Sequence, residues 1–151
     1  MNTTVLVAIP CLNLGGTEIQ TLNLVRVLRS KSMIVKVLCY FESDDYIVND
    51  FRNAGSNVEV LNLERSLGWL KLICILRRKI LATHPEIVHV QYMAPGALPI
   101  IAARLAGVKW VFATVHQPYT KSHGRLAKLI LRVASLFTTK FIAVSQSAEL
   151  S

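Results

Sequence analysis

Val5-Leu6-Val7-Ala8-Ile9-Pro10 and the turn that follows, Cys11-Leu12-Asn13-Leu14-Gly15-Gly16-Thr17, decide the fold. The run from Val5 to Ile9 is apolar at every position, as a strand covered on both faces must be, and Pro10 ends it. The turn is polar and carries two glycines. Thr17 is a good N-cap, and a helix over 17–29 puts Ile19, Leu22, Val25 and Leu28 on one face. A doubly buried strand, a glycine turn and an amphipathic helix make the first βα unit of a parallel sheet.

The same alternation continues along the chain. Strands are predicted at 34–41, 58–61, 87–91, 110–114 and 141–144. Helices fall between them: 44–54, stopped by Gly55; 66–83, capped by Ser66 and ended before Pro85; 94–106, with Pro95 in its first turn and Gly107 beyond its end; and 125–138. Ser145 reads as the cap of a further helix. Six strands alternating with helices, most of them apolar on both faces, predict a doubly wound, Rossmann-like parallel α/β sheet of about six strands. The 151 residues are enough for one such domain. Ligands of these sheets bind beyond the carboxyl ends of the strands. That singles out loops 10–17, 42–45, 62–65, 92–95 and 115–123, and the chain from 145 onward.

Composition narrows the class further. With 52% hydrophobic and 17% charged residues, the chain is the opposite of a disordered one. Its longest uncharged run, 87–103, is broken by His89, Gln91, Pro95, Gly96 and Pro99, so it does not read as a membrane span. The start lacks the basic region and the cleavage site of a signal peptide. The net charge of +8 is unevenly spread. Residues 1–64 hold five Lys/Arg and seven Asp/Glu, net −2, whereas 65–140 hold twelve Lys/Arg and only Glu86, net +11. So one-sided a balance points to an anionic partner. Cys11, Cys39 and Cys74 show neither C-x-x-C nor zinc spacing; each lies in an apolar run and reads as a buried free thiol of a reducing compartment.

Two places could carry chemistry. Gly15-Gly16 can let backbone approach a ligand, and the helix start beyond offers free N–H groups to a phosphate. The turn is neither G-x-G-x-x-G nor a P-loop, which argues against nicotinamide dinucleotides and Walker-type ATP binding. His116 follows the fifth strand, where it either hydrogen-bonds the loop or accepts a proton in a reaction. His89, inside an apolar strand, reads as a core histidine with a hydrogen-bond partner, and His84 as a helix cap. Asp44-Asp45 suit a helix start better than a metal.

Leu14-Gly15-Gly16-Thr17-Glu18 after the first strand, Glu86-Ile87-Val88-His89-Val90-Gln91, Thr114-Val115-His116 and Phe141-Ile142-Ala143-Val144-Ser145 together resemble the retaining GT-B glycosyltransferases of family 4, in order and spacing from about residue 4 to residue 149. The resemblance implies an N-terminal, acceptor-side domain over 1–151. A second domain would bind the nucleotide-sugar and carry an E-x7-E element, which is absent from these residues. By the same resemblance Gly15 and Gly16 face the donor diphosphate, His116 is the catalytic-site residue near the reacting sugar, and Gln91, Tyr92 and Met93 line the acceptor pocket. Gln91 stands where the family often has a second His, Gln117-Pro118 replaces its commoner H-D or H-G, and Glu86 replaces Asp. The implied reaction is sugar transfer from a nucleotide-sugar to a glycan or lipid-linked acceptor, without a cofactor and without a metal, since no D-x-D is present.

The basic half then suggests a surface. Arg125, Lys128 and Arg132 form one stripe of the helix 125–138. Trp69 and Lys71 open an apolar helix that also carries Arg77-Arg78-Lys79. These helices either face an anionic membrane from the cytoplasmic side or are core helices with solvated basic faces. A different class of function is a non-catalytic subunit that recruits a donor-domain partner to the membrane. A nucleic-acid partner is disfavoured, because the basic residues are not interleaved with exposed aromatics.

Overall fold

A computed structural model describes residues 2–92, 97–116, 132 and 135–143. Six strands form one parallel sheet in the order β3-β2-β1-β4-β5-β6. They are β1 (Thr4–Ile9), β2 (Ile34–Cys39), β3 (Asn57–Val60), β4 (Ile87–Tyr92), β5 (Trp110–Val115) and β6 (Lys140–Ala143). The helices are α1 (Gly16–Ser30), α2 (Asp45–Asn53), α3 (Trp69–Thr83) and α4 (Leu98–Leu105). This is the predicted doubly wound arrangement, and the strand order reverses between β1 and β4.

Strand alternation divides the core in two. Val5, Val7, Ile9, Val35, Val37 and Val58 pack with Val25 of α1 and with Ile47, Val48 and Phe51 of α2. Leu6, Ala8, Leu38, Val88, Val90, Val111 and Ala113 pack with α3 and α4 on the opposite face. Register pairs Val7 with His89 and Gln91 with Thr114, so the odd-numbered residues of β4 lie on the α1/α2 face.

Several local expectations are corrected. Thr17 is not the cap of α1: Gly15 is, in extended backbone and without a side-chain cap bond. The helix starts at Gly16; Leu22, Val25 and Leu28 of the predicted face pack on the core, joined by buried Glu18 and Thr21, while Ile19 is exposed. Ser66 does not cap α3, which begins at Trp69 after Gly68; the Ser66 hydroxyl is bonded to Glu64 instead. The proline in the first turn of α4 is Pro99; Pro95 and the predicted helix start lie outside the described residues. Cys74 is exposed, while Cys11 and Cys39 are buried, all three as free thiols. Most of the predicted helix 125–138 and the Ser145 cap also lie outside the described residues. Asp44 does cap α2, accepting from the Tyr46 N–H at 2.8 Å, and His84 closes α3 in the left-handed region at φ 48°.

One side chain reinforces the pairing of β6 with β5. Arg104, near the end of α4, donates to the carbonyls of Val108 (2.9 Å), Lys109 (2.7 Å) and Phe137, and to the Thr139 hydroxyl (3.1 Å). A guanidinium can bond several acceptors in fixed geometry, which ties the approach to β5 to the approach to β6.

Candidate functional site

The carboxyl ends of β1, β4 and β5 converge on one side of the sheet. Loop 10–17 leaves β1 and is stitched to the loop after β2. The Leu12 N–H donates to the Glu42 carbonyl at 3.1 Å, the Asp44 N–H donates to the Leu12 carbonyl at 2.8 Å, and Leu12 is fully buried. With that anchor in place, Asn13, Leu14 and Gly16 stand exposed above the sheet. Among the described residues, no acceptor meets the N–H groups of Gly16, Thr17 and Glu18, the open first turn of α1. Arg65, paired with Glu42 and lying 5.0 Å from the Phe41 ring, adds a cation to this rim.

Across from the loop, β4 and β5 carry a polar ladder on the α1/α2 face. His89 Nε2 lies 2.7 Å from Thr114 Oγ1, and His116 Nε2 lies 2.7 Å from Gln91 Oε1. Both are diagonal pairs, two residues out of register, as side chains leaning along neighbouring strands can form. Gln91 is 2% exposed and His89 7%, whereas His116 is half-buried at the top. With Gln91 Oε1 accepting, His116 carries its proton on Nε2, and its Nδ1 lone pair meets no donor among the described residues. Burial lowers the His116 pKa below the usual histidine value, against a smaller pull upward from Glu18, so the ring is neutral near pH 7. Deeper in the sheet, burial and then the neighbouring His116 bring His89 down to about 4. His89 is thus the hydrogen-bonded core histidine predicted, while His116 has a free nitrogen near neutrality.

The fold thus brings Gly15, Gly16, Gln91 and His116 to one end of the sheet. Tyr92 lies in β4 beside them, and Met93 is outside the described residues, as are Arg125 and Lys128. Trp69 and Arg132 are exposed on other elements. Glu18, which the sequence reading places only within the Leu14–Glu18 motif, is 6% exposed and bonded to the Cys11 thiol. Its sequence signal is an acidic residue in the first turn of a helix, which favours the helix start. Thr114, which the Thr114–His116 motif contains without a role, is the partner of His89.

The family model described as Glycosyltransferase Family 4 matches residues 14–149. None of the curated proteins matches the chain in sequence. Among solved structures, a glycosyltransferase from Rickettsia africae superposes with a TM-score of 0.77 at 20% identity, over 99% of this chain and 38% of its own. HepE from Anabaena, solved with UDP and glucose, gives 0.71 at 17% identity, over 99% and 40%. A UDP-GlcNAc 2-epimerase from Neisseria meningitidis, bound to UDP-GlcNAc, gives 0.67 at 12%, over 99% and 42%. The chain thus spans about two fifths of the length of these structures. At such identities the likeness concerns the fold, a Rossmann-like half shared by transferases and epimerases alike.

Proposed function

The chain belongs to Glycosyltransferase Family 4, and on that premise we propose that it is the acceptor-side half of a retaining, hexosyltransferase-type enzyme. In this reading a sugar passes from a nucleotide-sugar to a glycan or lipid-linked acceptor. The donor is held mainly by a second domain or a partner chain that brings the E-x7-E element, and no cofactor is needed.

The observation that carries the reading is His116, tied by Nε2 to buried Gln91 while its Nδ1 meets no partner among the described residues, at the carboxyl end of β5 opposite the Gly15-Gly16 turn. A neutral imidazole in that position accepts a hydrogen bond from an acceptor or sugar hydroxyl and orients it. The open amides of the first turn of α1 suit the diphosphate of the donor. Gln91 fixes the ring, and Tyr92 and Met93 continue the acceptor side. In an enzyme assembled from both halves, His116→Ala lowers turnover by roughly 10²- to 10⁴-fold and leaves the melting temperature nearly unchanged. Unaltered turnover would remove His116 from the reaction. On its own the 151-residue chain binds a nucleotide-sugar only in the millimolar range or weaker, roughly 4 kcal/mol or less of binding. Micromolar binding by calorimetry would contradict the division of labour.

A membrane-facing role, in the enzyme or in a non-catalytic recruiting subunit, draws support from α3. Trp69 is 50% and Leu70 60% exposed at its start, next to exposed Lys71, in the basic part of the chain. Among the described residues no helix is long and apolar enough to cross a bilayer, so the contact proposed is peripheral, at the cytoplasmic face. Binding to anionic vesicles that fades with salt and drops in an Arg125→Gln/Lys128→Gln/Arg132→Gln variant supports it. Equal partitioning to neutral and anionic vesicles refutes it.

A further inference from the structure

The loops after β1, β2 and β3 are fastened to one another in turn. Beyond the strand ends the pairing of β1 with β2 continues. The Phe41 N–H donates to the Pro10 carbonyl at 2.9 Å, the Leu12 N–H to the Glu42 carbonyl at 3.1 Å, and the Asp44 N–H to the Leu12 carbonyl at 2.8 Å. The Glu42 carbonyl takes a second donor, the Cys39 thiol at 3.4 Å. Glu42 is thus the residue to which the glycine turn is attached.

Its side chain is held from the opposite direction. After β3, Asn62 lies in the left-handed region at φ 48°, a conformation that asparagine tolerates. The residues beside it bond back to β2: the Leu61 N–H to the Cys39 carbonyl and the Leu63 N–H to the Tyr40 carbonyl, both at 2.9 Å. Just beyond, Arg65 lies over the Phe41 ring, 5.0 Å from its centroid. There Arg65 Nε is 3.2 and 3.1 Å from the two Glu42 carboxylate oxygens, and Nη2 donates to Oε1. An exposed ion pair adds little stability unless its geometry is well defined. Here the planar guanidinium is fixed twice, by a carboxylate along one edge and by an aromatic ring on one face. Such a clasp orients its partner more than it stabilises the fold.

We propose that Arg65 is a positioning residue of the candidate site: through Glu42 it holds the anchor at Leu12, and with it the shape of the turn that carries the open amides of Gly16, Thr17 and Glu18. That these amides take the donor diphosphate is the glycosyl-transfer reading, on which the proposal rests for its purpose alone; the clasp belongs to the chain itself.

The test has two arms. Amide hydrogen exchange is followed by NMR in the 151-residue chain at Leu12 and Asp44, with Val37 in the core of β2 as the control. In Arg65→Gln, Leu12 and Asp44 exchange roughly 2- to 5-fold faster, as the loss of a well-oriented exposed pair allows, while Val37 keeps the parent rate. Glu42→Gln has the same effect, and the double variant no more than either single one, because both act through one contact. Arg65→Lys recovers only part of the protection, since an ammonium cannot make the fork. In the two-half enzyme, Arg65→Gln raises the KM for the nucleotide-sugar by a similar factor and leaves kcat near the parent value, a split that general destabilisation does not produce. Unchanged exchange at Leu12 and Asp44 overturns the proposal. So do additive effects in the double variant, faster exchange that extends to Val37, and a donor KM that stays fixed while exchange quickens. The exchange arm involves no donor or acceptor, so its failure leaves the glycosyl-transfer reading standing. Conversely, the expected exchange pattern with no transfer by the parent two-half enzyme strikes that reading and leaves Arg65 as the residue that positions the turn.

Discussion

The sheet has two halves that meet between β1 and β4, and they are built differently. Around β1 and β2 nearly every inward side chain on either face is aliphatic: Val5, Val7 and Ile9 toward α1 and α2, Leu6 and Ala8 toward α3 and α4. Strand β4 repeats this on one face with Val88 and Val90, but on the other it places His89 and Gln91, bonded to Thr114 of β5 and to His116 just beyond its end. Val7 and His89 are register partners, so the change from apolar to polar happens across a single strand pair. Buried polar groups cost stability unless each is bonded. Each pair of the ladder shares one such bond, and the half-buried His116 ring stands at its open end.

The sharpest way to break the contrast is to empty the apolar half. Phe51 is fully buried between α2 and the sheet. Phe51→Ala costs about 3–5 kcal/mol in urea denaturation while leaving the His116 ring resonance of the surviving folded state in place.

The polar half answers to pH instead. The His89 pKa is lowered from 6.5 to about 4 in the fold, by burial first. The unfolded chain therefore takes up the proton first. Stability is complete above pH 6.5 and falls as pH drops toward 4, by about 3 kcal/mol at 1.36 kcal/mol per unit. His116, shifted in the same direction, adds to the slope. Urea midpoints measured between about pH 7.5 and about pH 4.5 follow that curve, and His89→Gln flattens it. A parent curve already flat would mean that His89 titrates as in water.

Smaller effects separate ladder from surface. Gln91→Leu leaves the His116 Nε2–H without its acceptor and costs roughly 1–3 kcal/mol, less if water reaches the half-buried ring, and in the two-half enzyme it lowers turnover along with stability. Trp69→Ala, on a half-exposed side chain at the start of α3, changes stability by less than about 1 kcal/mol but weakens vesicle binding. A loss of several kcal/mol would make Trp69 a core residue after all. Thiol reagents give the least perturbing check: in the native chain Cys74 reacts, while Cys11 and Cys39, buried and pushed up to about 11 and about 12, do not.

The strands were legible because a strand covered on both faces needs an unbroken aliphatic run, and such runs stand out in one dimension. His116 and Gln91 were legible as members of motifs placed at strand ends. Helix starts were not. Thr17 and Ser66 are better capping residues than Gly15 and Gly68, yet the chain enters α1 and α3 at the glycines, because the anchor at Leu12 and the turn before Gly68 set where the backbone can bend. Within α1, Leu22, Val25 and Leu28 face the core as the periodicity predicts, yet Glu18 is buried and Ile19 exposed.

The sequence by itself determined the class of the domain, the alternation of its elements and the end of the sheet where a ligand would bind, since these follow from periodicity and from the direction of parallel strands. Only the tertiary structure decided which polar residues meet. The pairing of Gln91 with His116 depends on the register of β4 against β5, and the approach of Glu18 to Cys11 on the rotation of α1. Both are set by packing summed over the whole sheet, which no local stretch of the chain encodes.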